Sequence, residues 1–248
     1  MDKVLLITGG GRGIGAATAP RAARLGYSVA VNYARDAAAA EAVVKSIVDG
    51  GGRAIAVQAD VGDPAQVLSM FAAVDAKLGR LGALVNNAGV VDVAARVDQM
   101  DFARLERMLR INVIGSFLCA REAVLRMSTR HGGAGGAIVN LSSAAARLGS
   151  PGQYVDYAAA KGAIDTFTLG LAKEVADEGI RVNAVRPGLI ETDIHASGGQ
   201  PGRARELAPT VPMKRTGSAD EVAAAIVWLL SEESSYTTGS VLDVTGGR

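Results

Sequence analysis

Short apolar runs alternate with longer, helix-like stretches along the chain. A run of about four to eight apolar residues bounded by turn residues is typical of a strand buried on both faces of a parallel sheet. Runs of this kind predict seven strands, at residues 4–7, 28–33, 54–58, 83–85, 137–141, 181–185 and 240–244. Strands that alternate with helices in this way predict a mainly parallel sheet built from βαβ units.

The intervening stretches predict helices, among them residues 37–49, 102–127, 157–178 and 218–230. Asp63 and Pro64 are typical first residues of a further helix, and Ser218 begins a capping box. The long helix at 102–127 is predicted to break or bulge near residues 111–113, where Asn112 stands among apolar neighbours. Pro20 predicts either a kink in the first helix or an irregular first turn.

The chain shows no internal repeat and no linker, so one α/β domain over residues 1–248 is predicted. Its sheet is doubly wound, with helices on both faces. Residues 189–215 have weak periodicity, three prolines and a Gly-Gly pair, which predicts a mobile flap over a site.

Composition excludes several classes of partner. The 248 residues carry 26 Lys+Arg against 25 Asp+Glu, so no broad basic field invites nucleic acid. No apolar run approaches the ~20 residues of a membrane span. Cys119, the only cysteine, cannot form an internal disulfide and favours a cytoplasmic location. Cys119 and Trp228 are predicted core residues, and His131 and His195 lack the company of other metal ligands.

A glycine-rich turn follows the first strand and opens the first helix. Glycines let the backbone turn sharply and approach a pyrophosphate, while the helix N-terminus supplies N–H donors and positive potential. The alternative is a plain glycine-rich turn, but the flanking strand and helix favour a dinucleotide site. The candidate residues of the turn are Gly9, Gly11, Arg12, Gly13, Ile14 and Gly15.

The end of the second strand bears on the choice of cofactor. An acid there would bind the adenosine ribose of NAD, but the chain reads Asn32-Tyr33-Ala34-Arg35. Arg35 and Arg12 suit a ribose 2′-phosphate, so NADP(H) is favoured over NAD(H). The alternative is that both arginines are simply solvated. Other candidate cofactor contacts are Asp60 and Val61 at the adenine, and the small-residue stretch Asn87, Ala88 and Gly89.

Tyr157 and Lys161 are four residues apart on a predicted helix, so both side chains point to one spot. A nearby cation lowers the pKa of a phenol, and a phenol so adjusted can exchange a proton with an alcohol or carbonyl oxygen. Ser143 lies at the carboxyl end of a strand, where open α/β sheets bind ligands. The alternative for Tyr157 and Lys161 is a tyrosine and a lysine on a solvated helix face.

Taken together and in order, these motifs resemble the short-chain dehydrogenase/reductase family, in its compact subclass of about this length. The resemblance spans nearly the whole chain and implies a Rossmann fold. The matching positions are Thr8-Gly9, Gly13, Gly15, Asp60, Asn86-Asn87-Ala88-Gly89, Asn112, Ser143, Tyr157 with Lys161, Pro187-Gly188 with Ile190 and Thr192, and Gly246-Gly247.

The resemblance implies a role for each residue of the site. Tyr157 is the general acid or base, Lys161 lowers its pKa and holds the nicotinamide ribose, and Ser143 binds the substrate oxygen. Asn112 anchors a water of a proton relay. Pro187, Gly188, Ile190 and Thr192 lie along the nicotinamide, and the last two hold its carboxamide. The resemblance also implies a homotetramer or homodimer, paired through the helices at 102–127 and 157–178.

The leading hypothesis is an NADP(H)-dependent oxidoreductase that interconverts a carbonyl and a secondary alcohol of a small molecule, without metal, nucleic-acid or membrane partners. One alternative is an NAD(H)-dependent sugar or polyol dehydrogenase, because residues 150–156 resemble such enzymes whereas residues 32–35 resemble 3-oxoacyl-carrier-protein reductases. A second alternative is a non-catalytic dinucleotide-binding regulator. A third is a Rossmann-like methyltransferase, which would have no need of Tyr157 with Lys161.

Overall fold

The computed structural model describes residues 3–192 and 198–248. Within them, seven parallel strands form one sheet in the order β3-β2-β1-β4-β5-β6-β9. The strands are β1 Lys3–Ile7, β2 Tyr27–Tyr33, β3 Ala54–Gln58, β4 Leu81–Asn86, β5 Gly136–Leu141, β6 Ile180–Pro187 and β9 Val241–Val244. Two short strands, β7 Ile190–Glu191 and β8 Gly217–Ser218, pair separately. The predicted mainly parallel, seven-stranded sheet is confirmed.

Helices cover both faces of the sheet. On one face α1 Gly13–Arg24, α2 Ala37–Asp49 and α9 Ala219–Leu230 pack around the buried Val29 and Val139. On the other, α3 Pro64–Leu78, α5 Gly115–Met127 and α7 Val155–Val175 pack around Leu6 and Ile138. The remaining α-helices of the described residues are α4 Phe102–Leu109, α6 Ala145–Leu148 and α8 Arg203–Leu207. The doubly wound fold class is therefore confirmed.

Local signals in the sequence place most helix boundaries correctly. Asp63 caps α3 by accepting hydrogen bonds from the first-turn N–H groups, and Pro64 is its first residue. Ser218 and Glu221 form the predicted capping box of α9. α1 continues through Pro20 to Arg24 instead of ending at the proline. The connection between β5 and α7 contains the short helix α6.

The predicted interruption of the long helix is confirmed. α4 and α5 are joined by one π-helical turn, Arg110–Ile114, which contains Asn112. A π turn inserts an extra residue and is often found at functional sites.

Of the two predicted core residues, one is correct and one is wrong. Cys119 is fully buried between α5 and the sheet. Trp228 is 38% exposed, because the inward stripe of α9 runs through Val222, Ile226 and Leu229 and leaves residue 228 beside it. Among the described residues, no helix combines the length and apolar character needed to cross a membrane.

Candidate active site

A cavity of about 620 Å³ opens at the carboxyl edge of the sheet. β1 lies next to β4, and the helices that follow these two strands, α1 and α5, lie on opposite faces of the sheet. Such a switch point is where open α/β sheets bind ligands. The cavity is lined by the glycine turn after β1, by the segments that follow β2 to β6, and by the first turn of α7.

The glycine turn has the shape that a diphosphate requires. Gly9 and Gly13 have φ values of +60° and +54°, in the left-handed region that favours glycine. A Cβ atom on Gly15 would lie 2.7 Å from the Asn87 amide nitrogen and 2.9 Å from the backbone of Gly10. Arg12, the N-cap residue, has no side-chain cap bond to the first-turn N–H groups of α1. The turn and the helix N-terminus therefore fit a dinucleotide.

Two predicted cofactor contacts, Asn32 and Asn87, use their side chains to hold this turn. The Asn87 amide donates to the carbonyls of Thr8 and Gly9, at 2.8 and 2.9 Å. The buried Asn32 amide accepts from the Gly9 N–H at 3.1 Å and donates to the Ala59 carbonyl at 3.1 Å. Both residues line the cavity, but their side chains shape its wall.

The adenosine end of the cavity is rich in guanidinium groups. Arg12 and Arg35 are both exposed and line it together with Tyr33 and Val61. Asp60 is bound at 3.1 Å by Arg110. Within residues 3–192 and 198–248, no carboxylate pairs with Arg12 or Arg35, and the nearby Asp36 instead caps α2. This corner can therefore receive a further anion.

Tyr157, Lys161 and Ser143 meet at the other end of the cavity. The Lys161 ammonium lies 5.6 Å from the centroid of the Tyr157 ring and donates to the Leu141 carbonyl at 2.6 Å. Ser143 lies near the Tyr157 hydroxyl and acts to lower the pKa of the phenol. The neighbouring Ser142 instead donates to the Lys161 carbonyl oxygen at 3.2 Å. The structure thus brings Ser143, and not Ser142, to the phenol.

The predicted direction of the Tyr157 pKa is wrong. Burial raises the pKa of Tyr157 above 10.0, because the charged phenolate is poorly solvated, and Ser143 opposes this only in part. Burial also lowers the pKa of Lys161 to about 8, against the opposing charge of Asp165. The spacing of the two residues predicts their proximity but not this desolvation.

Asn112 is fully buried in the π turn and fixes the loop that follows β4. Its amide accepts from the Val90 N–H at 3.1 Å and donates to the carbonyls of Val90 and Met108, at 3.0 and 3.1 Å. A Cβ atom on Gly89 would lie 2.8 Å from Asn112 Oδ1 and 3.6 Å from Lys161 Nζ. Asn112 therefore holds the Gly89 backbone directly beside Lys161.

The segment after β6 crosses in front of the glycine turn. Gly188 is pressed against the backbone of Thr245, where a Cβ atom would lie 2.7 Å from the Thr245 Cα. Thr192 lies against Gly13, where a Cβ atom would be 3.4 Å from the Thr192 methyl group. Pro187 and Ile190 also line the cavity. Part of the predicted flap, residues 193–197 with His195, lies outside the described residues.

Residues that the sequence did not single out form the remaining wall. Tyr154, the N-cap residue of α7, is 7% exposed and lines the cavity, and the Arg203 guanidinium lies 5.0 Å from its ring centroid. Arg104 forms a buried ion pair with Asp156, next to Tyr157. The position of Tyr154, three residues before Tyr157, could have indicated from the sequence that it lies near the site. Nothing in the aperiodic stretch at 189–215 distinguishes Arg203.

No group of three or more His, Cys, Asp or Glu side chains in the described part of the chain is arranged to hold a metal ion. The polar side chains that line the cavity are hydroxyls, amides, an ammonium and guanidiniums, with the carboxylates of Asp36 and Asp60 beside Arg35 and Arg110. Such a set can hold an anionic dinucleotide and exchange a proton with a substrate oxygen.

Comparisons with known proteins agree with this geometry. The family described as Enoyl-(Acyl carrier protein) reductase matches residues 9–248. The uncharacterized oxidoreductase YgfF of Escherichia coli is 56% identical over 99% of both chains. A 3-oxoacyl-[acyl-carrier-protein] reductase of Synechocystis is 38% identical, over 99% of this chain and 96% of the relative. Glucose 1-dehydrogenase 2 of Bacillus subtilis is 36% identical, over 99% and 94%.

Solved structures give the same result. A short-chain type dehydrogenase/reductase from Mycobacterium marinum superimposes with a TM-score of 0.92 at 34% identity, covering 99% of this chain and 94% of the other. A Serratia marcescens short-chain dehydrogenase/reductase variant gives a TM-score of 0.90 at 33% identity, covering 99% and 97%. The chain belongs to the short-chain dehydrogenase/reductase family and is an oxidoreductase that acts on a carbonyl or alcohol group with a nicotinamide dinucleotide.

Proposed function

We propose that the protein is an NADP(H)-dependent oxidoreductase that interconverts a carbonyl and a secondary alcohol, with Tyr157 as the acid or base. The observation that carries this proposal is the meeting of Ser143, Tyr157 and Lys161 in one cavity with the glycine turn. A module that only bound the dinucleotide, such as a regulator, would need the turn but would have no use for this second constellation.

Hydride transfer is the chemistry that the nicotinamide supplies when bound. Ser143 donates a hydrogen bond to the substrate oxygen and stabilises the negative charge that develops on it. Tyr157 gives its proton to this oxygen in reduction and takes it back in oxidation.

Lys161 and Asn112 have supporting roles. Lys161 faces the Tyr157 ring and binds the nicotinamide ribose, and its ammonium offsets the charge left on the phenolate. Asn112 holds Val90 and Gly89 in place beside the ammonium and supports the proton relay. Pro187, Gly188, Ile190 and Thr192 bind the nicotinamide end.

NADP(H) is favoured over NAD(H) by the charges at the adenosine end. The described part of the chain provides no carboxylate partner for Arg12 or Arg35, and both are free to bind a ribose 2′-phosphate. An acidic side chain at the end of β2 would bind the ribose of NAD. This chain has Asn32 there, and its amide is hydrogen-bonded to the backbone of Gly9 and Ala59. Asp36, which follows Arg35, caps α2.

The proposed assembly is a homotetramer or homodimer in the cytoplasm. α4, the π turn and α5 expose Phe102, Ile114 and Phe117 at 77%, 49% and 48%, and α7 exposes Leu169 at 44%. Apolar exposure on this scale, along two neighbouring helices, is typical of a surface that pairs with another copy. The single, buried Cys119 suits a reducing compartment.

A Tyr157→Phe variant tests the acid–base role. It should keep NADPH affinity within about twofold and lower kcat by roughly 10²- to 10⁴-fold, the usual contribution of general acid–base catalysis. The assay follows oxidation of NADPH by absorbance against a panel of ketones and aldehydes, with fluorescence titration for cofactor binding. Tyr236→Phe is the matched control, because Tyr236 is fully exposed. Undiminished turnover in Tyr157→Phe would refute the role.

A further inference from the structure

The substrate end of the cavity contains a guanidinium with no carboxylate partner. Arg203, the first residue of α8, is partly buried and lines the same cavity as Tyr157. Its contacts are the face of Tyr154, at 5.0 Å from the ring centroid, and the Gln200 side-chain oxygen at 3.4 Å. Neither neighbour neutralises it, because a ring and an amide carry no net charge.

The acidic residues around the cavity are committed elsewhere. The carboxylates among its lining residues are Asp36 and Asp60, which lie at the adenosine end. Asp36 caps α2, and Asp60 pairs with Arg110. Asp92 lies near the substrate wall but is bound at 2.7 Å by Arg107, the other guanidinium on that side. Glu206, on the next turn of α8, lies with its carboxylate against Gly202, and within the described residues no carboxylate forms an ion pair with the Arg203 guanidinium.

The contacts of Arg203 also hold it in place. Gln200 accepts hydrogen bonds from both Arg203 and the Tyr154 hydroxyl, each at 3.4 Å. Tyr154 itself is held by burial at the start of α7. A guanidinium stacked on an aromatic face keeps its planar fork free to bind two oxygens of one anion. A solvated surface arginine would not need this support.

Tyr154 links the two ends of the substrate site. It precedes Tyr157 by three residues at the start of α7, about one helical turn or ~5 Å of rise along the backbone, and both side chains line the same cavity. An anion bound by Arg203 would therefore lie in the same cavity as a carbonyl carbon held at Ser143 and Tyr157. Resting on the proposed function, the structure assigns to this enzyme a substrate that carries a carboxylate or phosphate in addition to the reacting carbonyl, bound by Arg203.

The test compares matched acidic and neutral ketones on the full-length enzyme with NADPH. One pair is 4-oxopentanoate and its methyl ester, and the other is dihydroxyacetone phosphate and dihydroxyacetone. The wild-type enzyme should prefer an acidic member by roughly 10- to 100-fold in kcat/KM, the range expected for a hydrogen-bonded pair of opposite charges. The acidic probe whose kcat/KM exceeds that of its neutral partner identifies carboxylate or phosphate as the group that the enzyme recognises.

Variants distinguish binding of the anion by Arg203 from a general effect of positive charge on the enzyme. Arg203→Gln should abolish the preference, mainly by raising KM for the acidic ketone, and Arg203→Lys should restore part of it. Arg205→Gln is the matched control, because Arg205 is an exposed residue of the same helix that does not line the cavity. A change in NADPH affinity alone would assign Arg203 to the cofactor and overturn the proposal.

A binding measurement keeps the subsite testable if none of the four ketones is reduced. Calorimetric titration of the NADPH complex should give a lower Kd for an acidic probe than for its neutral partner, and Arg203→Gln should remove the difference. Equal binding of acidic and neutral probes, or none, overturns the subsite. Failure of the proposed function is a separate result, seen as absence of turnover across the whole carbonyl panel.

Discussion

Replacing Arg104 with alanine should loosen the first turn of α7, which carries Tyr157. The Arg104 guanidinium forms two hydrogen bonds with the Asp156 carboxylate, at 2.8 and 3.3 Å, and a third with the Val93 carbonyl at 2.7 Å. The Asp156 side chain is only 1% exposed and that of Arg104 11%. The pair thus joins α4, the loop after β4 and the start of α7 with little access to water.

The burial sets the magnitude of the effect. Removing one partner of a buried pair leaves an uncompensated charge and costs about 3–5 kcal/mol of unfolding free energy. In a chain of this size each kcal/mol corresponds to about 2–4 °C, so the melting temperature of Arg104→Ala should fall by roughly 6–20 °C. The double variant Arg104→Met/Asp156→Leu should recover most of the loss, because two apolar side chains can replace a buried pair at little cost.

Thermal unfolding followed by circular dichroism, together with NADPH turnover, measures both consequences. Arg96→Ala is the matched control, since its pair with Asp98 is exposed, at 72% and 63%, and should contribute about 0–1 kcal/mol. Arg104→Ala should also lower kcat, because Asp156 precedes Tyr157 directly. If Arg104→Ala melted within about 2 °C of the wild type, the pair would not hold the start of α7 as reasoned here.

Two further predictions concern charge. The double variant Arg12→Ala/Arg35→Ala should raise KM for NADPH by roughly 10- to 100-fold and change KM for NADH little. The control variant Arg24→Ala, at an exposed arginine, should change neither KM. An equal rise in KM for both cofactors would exclude the 2′-phosphate site. Burial lowers the pKa of Lys161 from 10.5 to about 8, so the unfolded chain binds more protons than the folded one between these values. Stability relative to Lys161→Met should therefore rise with pH across this window, by at most about 1.4 kcal/mol per unit; a pH-independent difference in denaturation free energy would contradict the lowered pKa.

The architecture was predictable because its signals are local. Apolar runs mark strands buried on both faces, and caps such as Asp63 and Ser218 mark helix starts, so the order of elements follows from short stretches of sequence. The position of Asn112 among apolar residues also indicated the interruption that the π turn confirms. Such features depend on neighbours in sequence, and little tertiary information is needed to interpret them.

The features that escaped prediction depend on contacts between distant segments. The exposure of Trp228 is set by which stripe of α9 faces the sheet, and the raised pKa of Tyr157 by how much of the fold covers its ring. Arg104 and Asp156 are 52 positions apart, and nothing local marks them as partners. Arg203 lies in a stretch without periodicity, and only its place over Tyr154 distinguishes it from other arginines.

The π turn at Arg110–Ile114 fixes the number of residues that join α4 to α5. Each residue of an ordinary helix advances the chain by about 100°. A π turn holds one residue more than an ordinary turn, so losing that residue would restore regular winding and leave the flanking helices α4 and α5 close to their present orientation. The wide turn that carries the Asn112 amide to Val90 would then be lost, so homologous chains that keep this contact should tolerate substitutions in this turn far better than deletions.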